Sequence, residues 1–540
     1  MLRLRNILND ISRTHNHAGI HQITRGIEKE SLRITPNGKL ATTPHPSLFG
    51  SPLTHPNITT DYCESMVEFI TEPNTDPVKV LTQLEELHIF STHNLPTEQL
   101  WPVSMPCELV PDAHIPAAKY GSSNIGKLKS IYRVGLGNRY GRFLTIAGLH
   151  YNFSVSDELW QFLYKDANSQ LSFKDFKTDG YLKLIRNFLR NYWLLLYLFG
   201  ASPCTSKNFL DGKQHDLQDL EGCENTLYSP HATSLRMSDL GFKSNAQDNL
   251  LMTYNCLENY IRTLCSAITQ PHSRYTNNDL KNSDGHYQQL NQNLLQIENE
   301  FYSVVRPKRT TQKGENGLSA LAERGIEYVE IRCLDLNPFT PNGITHQQIQ
   351  FLDTFLLYCL LTDSPALTQQ DIQDIRKNQQ IVAYNGRDKN LELIKNGQYT
   401  PLQSWANSLF NDLQLTAQLL DDAEHSKTAS NTQNTTYSRS VEKEYEKIKD
   451  PTLTPSAQIL STLKQQKLEF SEFSMNLSNQ YKFYFEAKKL NNACLYKSTV
   501  EQSVQQQQYA ESKVEINFED YLREYYLLYT QLLDSNRNLQ

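Results

Sequence analysis

Among the nine cysteines of this 540-residue chain, no two stand at the CxxC spacing. That excludes a four-cysteine zinc site and a thioredoxin-like redox motif, and the odd count argues against a disulfide framework. The cysteines read as reduced thiols in a cytosolic protein. Long apolar runs are also missing. The most apolar stretches, 192–201 and 351–361, fall well short of the roughly 20 residues that cross a bilayer, and so predict buried helices. The opening MLRLRNILNDISRTH is basic but has no apolar core of a secretory signal. Together these absences predict a cytoplasmic protein with no membrane partner. Positive charge is not in excess either: 52 Lys and Arg against 59 Asp and Glu give a net charge of −7. This argues against a nucleic-acid partner, including RNA held by the one basic stretch at 119–142. No dinucleotide fingerprint and no Ser-His-Asp elbow appears. Gly121 to Lys127 fits the spacing GxxxxGK, but Leu128 stands where a P-loop needs a hydroxyl for Mg²⁺, and no apolar strand leads in. That segment reads as a polar loop.

What the chain does have is a packed-core composition, 39% hydrophobic and 21% charged, and acids in unusual places. The stretch 26–34, GIEKESLRI, alternates with period two, as a strand does. Glu28, Glu30, Leu32 and Ile34 share one face, and Ile27, Lys29, Ser31 and Arg33 the other. Two carboxylates on the apolar side would lie about 6–7 Å apart along the backbone. Either a cation sits between them, a hard oxygen-loving metal being the simplest, or the glutamates face solvent and the apolar residues form a lip of the core. An Asn37-Gly38 turn then predicts a hairpin with a second short strand. Residues 65–71 place Glu68 beside Met66 and Ile70 on one strand face, with Asp61 at the turn upstream. Residues 143–156 read as a strand with His150, Asn152 and Ser154 on one face. Residues 325–335 repeat the theme, with Tyr328, Glu330, Arg332 and Leu334 on one face. Arg306, Lys308 and Arg309 close the run 295–309, placed either to hold phosphates or as a solvated charge run. From about residue 366 the composition turns rich in Gln, Asn, Lys and Glu with helical spacing, and 424–440 read as a loose linker.

The acids on these strands predict an α+β fold in which an open antiparallel sheet gathers carboxylates for Mg²⁺-assisted phosphoryl chemistry. At this point the motifs become recognisable. RGIEKESLR, LATTPHP, ITTDYCESMVEFIT, WPVSMPC, YGSSNIGKLKSIYRVGLGNRYG, GLHYNFS, YLFGASP, ATSLRMSDLGF, LQIENEFYSVVRPKR and GIEYVEIRCLDLNPF run in order through residues 20–365. The sequence resembles the bacterial glutamate–cysteine ligases of the gamma-proteobacterial type. The resemblance implies a glutamine-synthetase-like curved, mainly antiparallel sheet forming a funnel, with helices on its outer face and a helical C-terminal region. It implies a catalytic core at 1–365 and a C-terminal region at 366–540. It further implies ATP as cosubstrate and ligation of the γ-carboxylate of L-glutamate to the amine of L-cysteine through a γ-glutamyl phosphate, the first step of glutathione synthesis. By the same resemblance Glu28, Glu30, Asp61, Glu68, His150 and Glu330 look like ligands of Mg²⁺, with Mn²⁺ as a substitute. Arg332, Glu28 and Glu330 look catalytic. Tyr132, His150, Arg236, Phe242 and Tyr302 look like the acceptor pocket, and Arg332, Arg306 and Lys308 like phosphate contacts. The family's SDLGY ends here in Phe242, which keeps the ring but not the hydroxyl. A ligase of the same fold with another acceptor amine, and a non-catalytic nucleotide- or metal-binding regulator, are the competing readings.

Overall fold

The computed structural model describes residues 2–241, 245–247, 250, 252–312, 314–426, 436–513 and 516–537. Twelve strands are found among them. In chain order they are β1 (Thr24–Ile34), β2 (Ile58–Thr60), β3 (Met66–Ile70), β4 (Gln99–Leu100), β5 (Leu149–Ser154), β6 (Cys204–Ser206), β7 (Gln218–Asp219), β8 (Thr226–Tyr228), β9 (Val305–Lys308), β10 (Tyr328–Leu334), β11 (Glu392–Lys395) and β12 (Gln398–Pro401). Seven of them form one antiparallel sheet in the order β2-β3-β1-β5-β10-β9, with β4 pairing the end of β1. β6, β8 and β7 make a small sheet, and β11 and β12 a hairpin. The mixed helix and antiparallel-sheet class read from the sequence is what the chain adopts.

The odd-numbered face of β1 turns to a helical layer. Arg25, 1% exposed, pairs with Asp353 at 2.8 Å, and the Tyr151 hydroxyl donates to the same carboxylate at 2.6 Å. Asp353 lies on the helix His346–Leu361, which starts at a capping box between Thr345 and Gln348 and is buried without a break from Gln348 to Leu361. One apolar cluster runs from Ile27, Tyr151 and Ile331 in the sheet through Phe355 to Phe410 and Val441 on the helices Leu402–His425 and Thr436–Lys449. The short helix Trp193–Phe199 is wholly buried as well. Among the described residues no helix is long and apolar enough to cross a membrane.

Some local expectations give way. The turn at Asn37-Gly38 forms, but the second strand shrinks to a single bridge, Ile34 to Leu40. A two-residue hairpin turn of type I′ needs positive φ at both centres. Gly38 has φ +76°, while Asn37 is not in the left-handed region. At Asn396-Gly397 both residues have it, φ 52° and 76°, and there β11 and β12 do pair. The end of β1 is completed by β4 instead. The strand expected over 143–156 is shorter, because Gly141–Thr145 is a 3₁₀ turn. The GxxxxGK segment is only half loop: Ser123 caps the helix Asn124–Tyr140, accepting from the Gly126 N–H at 3.3 Å. Residues 427–435 of the expected linker lie outside the described residues, between two regular helices.

Candidate active site

Register brings the acids together. Residues directly opposite in an antiparallel pair share a face. Glu30 stands opposite Glu68, and Glu28 opposite His150. Glu330 stands opposite Asn152 on one side and Arg306 on the other. Five strands therefore present Glu28, Glu30, Glu68, His150, Asn152, Glu330 and Arg306 to one side. β10 then bulges between Ile331 and Leu334. The sheet floors a cavity of about 260 Å³. Asp61, Arg332, Lys308, Tyr132, Arg236 and Tyr302 also line it, so twelve of the thirteen residues expected in the site meet there. The thirteenth, Phe242, lies outside the described residues.

The carboxylates differ in their electrostatic surroundings. His150 Nδ1 lies 3.2 Å from Glu28 and 3.5 Å from Glu330, and its Nε2 lies 3.6 Å from Glu30. Asn152 donates to Glu28 at 2.9 Å, and the Gly148 N–H to Glu30 at 2.6 Å. Glu330 is 1% exposed and holds Arg332 at 2.8 Å and Lys308 at 3.1 Å. Burial pushes its carboxyl up, but Lys308, Arg332 and His150 outweigh that and hold it well below the usual range. Burial and Glu330 likewise push Glu28 up, and the His150 hydrogen bond and charge, with Lys308, bring it below its ordinary value. Burial, with the negative charge of Asp61 beside it, leaves Glu30 raised despite His150. Glu68 is the outlier. Burial first, then Glu28, Asp61 and Glu30, push it well above the usual range, with Arg133 the opposing charge.

The cations split between holding the protein and facing the cavity. Arg306 donates from Nη2 to the carbonyls of Asn299 and Phe301, at 2.9 and 2.6 Å. Arg236 donates from Nη2 to the Arg332 carbonyl at 2.8 Å. Sequence reasoning passed over Arg133, which reaches Asp61 at 3.4 Å and lies against the Tyr120 and Tyr132 rings at 5.9 and 5.1 Å. It also passed over Asn152, Glu300 and Phe301. Asn152 was within reach, because it shares the His150 face. Glu300 was not: its partner Arg139, at 2.8 Å, is 161 positions away.

The donor set suits a divalent cation. Glu28, Glu68 and His150 each bring one ligand atom to within 4.8 Å of the others. Glu68, crowded by like charges, is the group that a cation would relieve. Oxygen donors with one imidazole match a hard metal such as Mg²⁺ or Mn²⁺ better than a soft one.

Carboxylates and guanidinium groups inside one cavity mark a candidate active site for charged small molecules. Comparison with known proteins says which kind. The glutamate-cysteine ligase family model matches residues 8–382, and the chain belongs to that family. It is 46% identical over 532 residues to the glutamate–cysteine ligase of Saccharophagus degradans, covering 96% of this chain and 98% of that one. A crystal structure of glutamate–cysteine ligase from Francisella tularensis in complex with AMP superposes with a TM-score of 0.87 at 34% identity, over 95% of this chain and 99% of that one. A bifunctional glutathione synthetase from Pasteurella multocida matches at a TM-score of 0.69 and 25% identity; the match covers 92% of this chain and 57% of that longer one.

Proposed function

We propose that this protein joins the γ-carboxylate of L-glutamate to the amine of L-cysteine, converting ATP to ADP and phosphate, as the first step of glutathione synthesis in the cytoplasm. The observation that carries the reading is the single cavity in which the family's acids meet Arg332 and Lys308. A free carboxylate is a poor acyl donor to an amine. Transfer of the ATP γ-phosphoryl group to it gives γ-glutamyl phosphate, from which phosphate departs when the amine attacks. The AMP-bound relative supports a nucleotide cosubstrate.

Glu28, Glu30, Asp61, Glu68, His150 and Glu330 are the residues we assign to holding Mg²⁺. When bound, the cations neutralise charge on the phosphate oxygens. The chain's own groups do the rest. Glu330 fixes Arg332, whose planar guanidinium suits the oxygens of the transferred phosphoryl group, with Lys308 beside it. Arg133 adds a further cation beside Asp61. Arg236 takes the acceptor's carboxylate, and Tyr132 and Tyr302 wall its side chain from water. In this reading the curved sheet is one wall of a funnel of the glutamine-synthetase kind. Residues 1–365 form the catalytic core, and the helices after 366 support it. The test is product identification by mass spectrometry, with coupled ADP release, from ATP, L-glutamate and a panel of amino acids. Fast ADP release with cysteine, giving γ-glutamylcysteine, supports the reading. Preference for another amine, or ADP release without an amide product, sinks it.

A further inference from the structure

Arg236 is gripped from two sides by residues that the proposed chemistry does not use. It lies in the 3₁₀ turn Leu235–Met237, and Nη1 approaches Asp335 Oδ1 at 3.5 Å. Asp335 follows directly on β10, and its side chain is 1% exposed. Its carboxylate also accepts from the Ala201 N–H at 2.8 Å and the Ser234 hydroxyl at 3.0 Å. One buried acid thus ties the end of β10 to two other segments and to the arginine. With Nη1 drawn to Asp335 and Nη2 spent on the Arg332 carbonyl at 2.8 Å, the guanidinium has one rotational setting.

On the other side lies Gly148. A Cβ built there would sit 2.3 Å from Arg236 Nη2 and 3.2 Å from Cζ. The glycine cannot retreat, because its N–H donates to Glu30 at 2.6 Å and its carbonyl accepts the Glu30 N–H at 3.1 Å. Any side chain at 148 would therefore displace the arginine rather than the strand.

We infer that Asp335 and Gly148 are positioning residues for the acceptor amino acid: Asp335 orients the Arg236 guanidinium by charge, and Gly148 leaves the space it occupies. The inference rests on the reading of Arg236 as the partner of the acceptor's carboxylate. Neither residue touches substrate in this account. A merely structural Asp335 would lower thermal stability and disturb both substrates alike. A positioning Asp335 moves one Michaelis constant and spares the other.

The experiment measures KM for cysteine and for ATP, with melting temperature, on full-length Arg236→Ala, Asp335→Asn, Gly148→Ala and the double variant Arg236→Ala/Asp335→Asn. Asparagine keeps an acceptor for Ala201 and replaces the charged oxygen that faces Arg236 and Ser234 with an amide NH₂. We expect Asp335→Asn to raise the cysteine KM by about tenfold, the lower end for a charge-assisted contact at this length, with the ATP KM within about twofold. Gly148→Ala should shift the cysteine KM in the same direction with the Asp335 bonds to Ala201 and Ser234 intact, so it reports even if Asp335→Asn folds poorly. The double variant should be no worse than Arg236→Ala alone, because the acid acts through the arginine. Equal rises in both KM values, effects that add in the double variant, or an unchanged cysteine KM in both Asp335→Asn and Gly148→Ala would overturn the inference while leaving Arg236 in place. An unchanged cysteine KM in Arg236→Ala would remove the reading of Arg236 itself, and the inference with it.

Discussion

Replacing Glu68 by glutamine takes one charge from the most crowded part of the carboxylate face and leaves its shape. The ligand atoms of Glu28 and Glu68 lie within 4.8 Å of each other. At that separation two unit charges repel by about 3.5 kcal/mol at an effective dielectric of about 20. Metal-free protein avoids that cost by keeping Glu68 protonated, since burial and its acidic neighbours raise it well above 4.5. The native state therefore holds a proton that the unfolded chain releases. The stability this contributes is fully present below about pH 4.5 and is lost as pH rises through the raised value. Glutamine does not titrate. In EDTA, the wild type should lose stability relative to Glu68→Gln as pH rises above about 4.5 and through the raised value, by up to about 3 kcal/mol, the scale of that repulsion. Binding of Mg²⁺ should eject a proton from the wild type and not from position 68 of the variant. Turnover should fall by at least about 10²-fold, as when one preorganised charge is removed. Urea melts at three pH values, with Mg²⁺ titration calorimetry in two buffers of different ionisation enthalpy, read both effects. Parallel stability curves together with equal proton release would refute the reasoning.

Three further outcomes follow from particular contacts. Glu330→Gln should also cost at least about 10²-fold in turnover. Unlike Glu68→Gln it should destabilise the fold, because Lys308 and Arg332 lose their partner; about 2 kcal/mol in urea melts is expected, less than for a fully buried pair since both cations are part-exposed. His55 accepts two backbone N–H groups at Nδ1, from Asn57 at 3.1 Å and Ile58 at 2.9 Å, and burial lowers it to about 4. Its stabilisation is present above about pH 6.5 and lost as pH falls towards about 4, so His55→Asn should flatten acid unfolding in that window by about 3 kcal/mol, and an unchanged slope counts against it. The Tyr526 hydroxyl donates to the Gln296 carbonyl at 2.9 Å and accepts from Asn291 at 2.7 Å. Tyr526→Phe should cost about 1 kcal/mol and speed amide exchange over 296–302, the loop that carries Tyr302; unchanged exchange there would mean that the helix Phe518–Arg537 does not support it.

The strands that carry the site were legible because period-two alternation is a local signal. Glu28 and Glu30, and His150 with Asn152, needed no knowledge of the rest of the chain to be put on common faces. Which strand lies beside which is not local. The pairing of Glu30 with Glu68 and of Glu28 with His150 is set by register across the sheet. The Asn37-Gly38 turn misled because the dipeptide alone does not fix φ at the asparagine, as the contrast with Asn396-Gly397 makes plain. Arg133 was counted in a basic stretch, but the helix Asn124–Tyr140 turns it inwards beside Tyr132, and three glycines interrupt the apolar spacing that would have marked that face. Glu300 sits in a 3₁₀ turn and accepts locally from the Gln296 N–H, but its distant partners Arg139 and Tyr140, each at 2.8 Å, are set by the fold.

The central claim is that the γ-carboxylate of glutamate is phosphorylated before the amine attacks. L-Glutamate carrying ¹⁸O in both γ-carboxylate oxygens, turned over with ATP and cysteine, tests it directly. The account predicts one ¹⁸O in each phosphate released and one retained in the amide of γ-glutamylcysteine. Phosphate free of ¹⁸O, with amide product still forming, would contradict it.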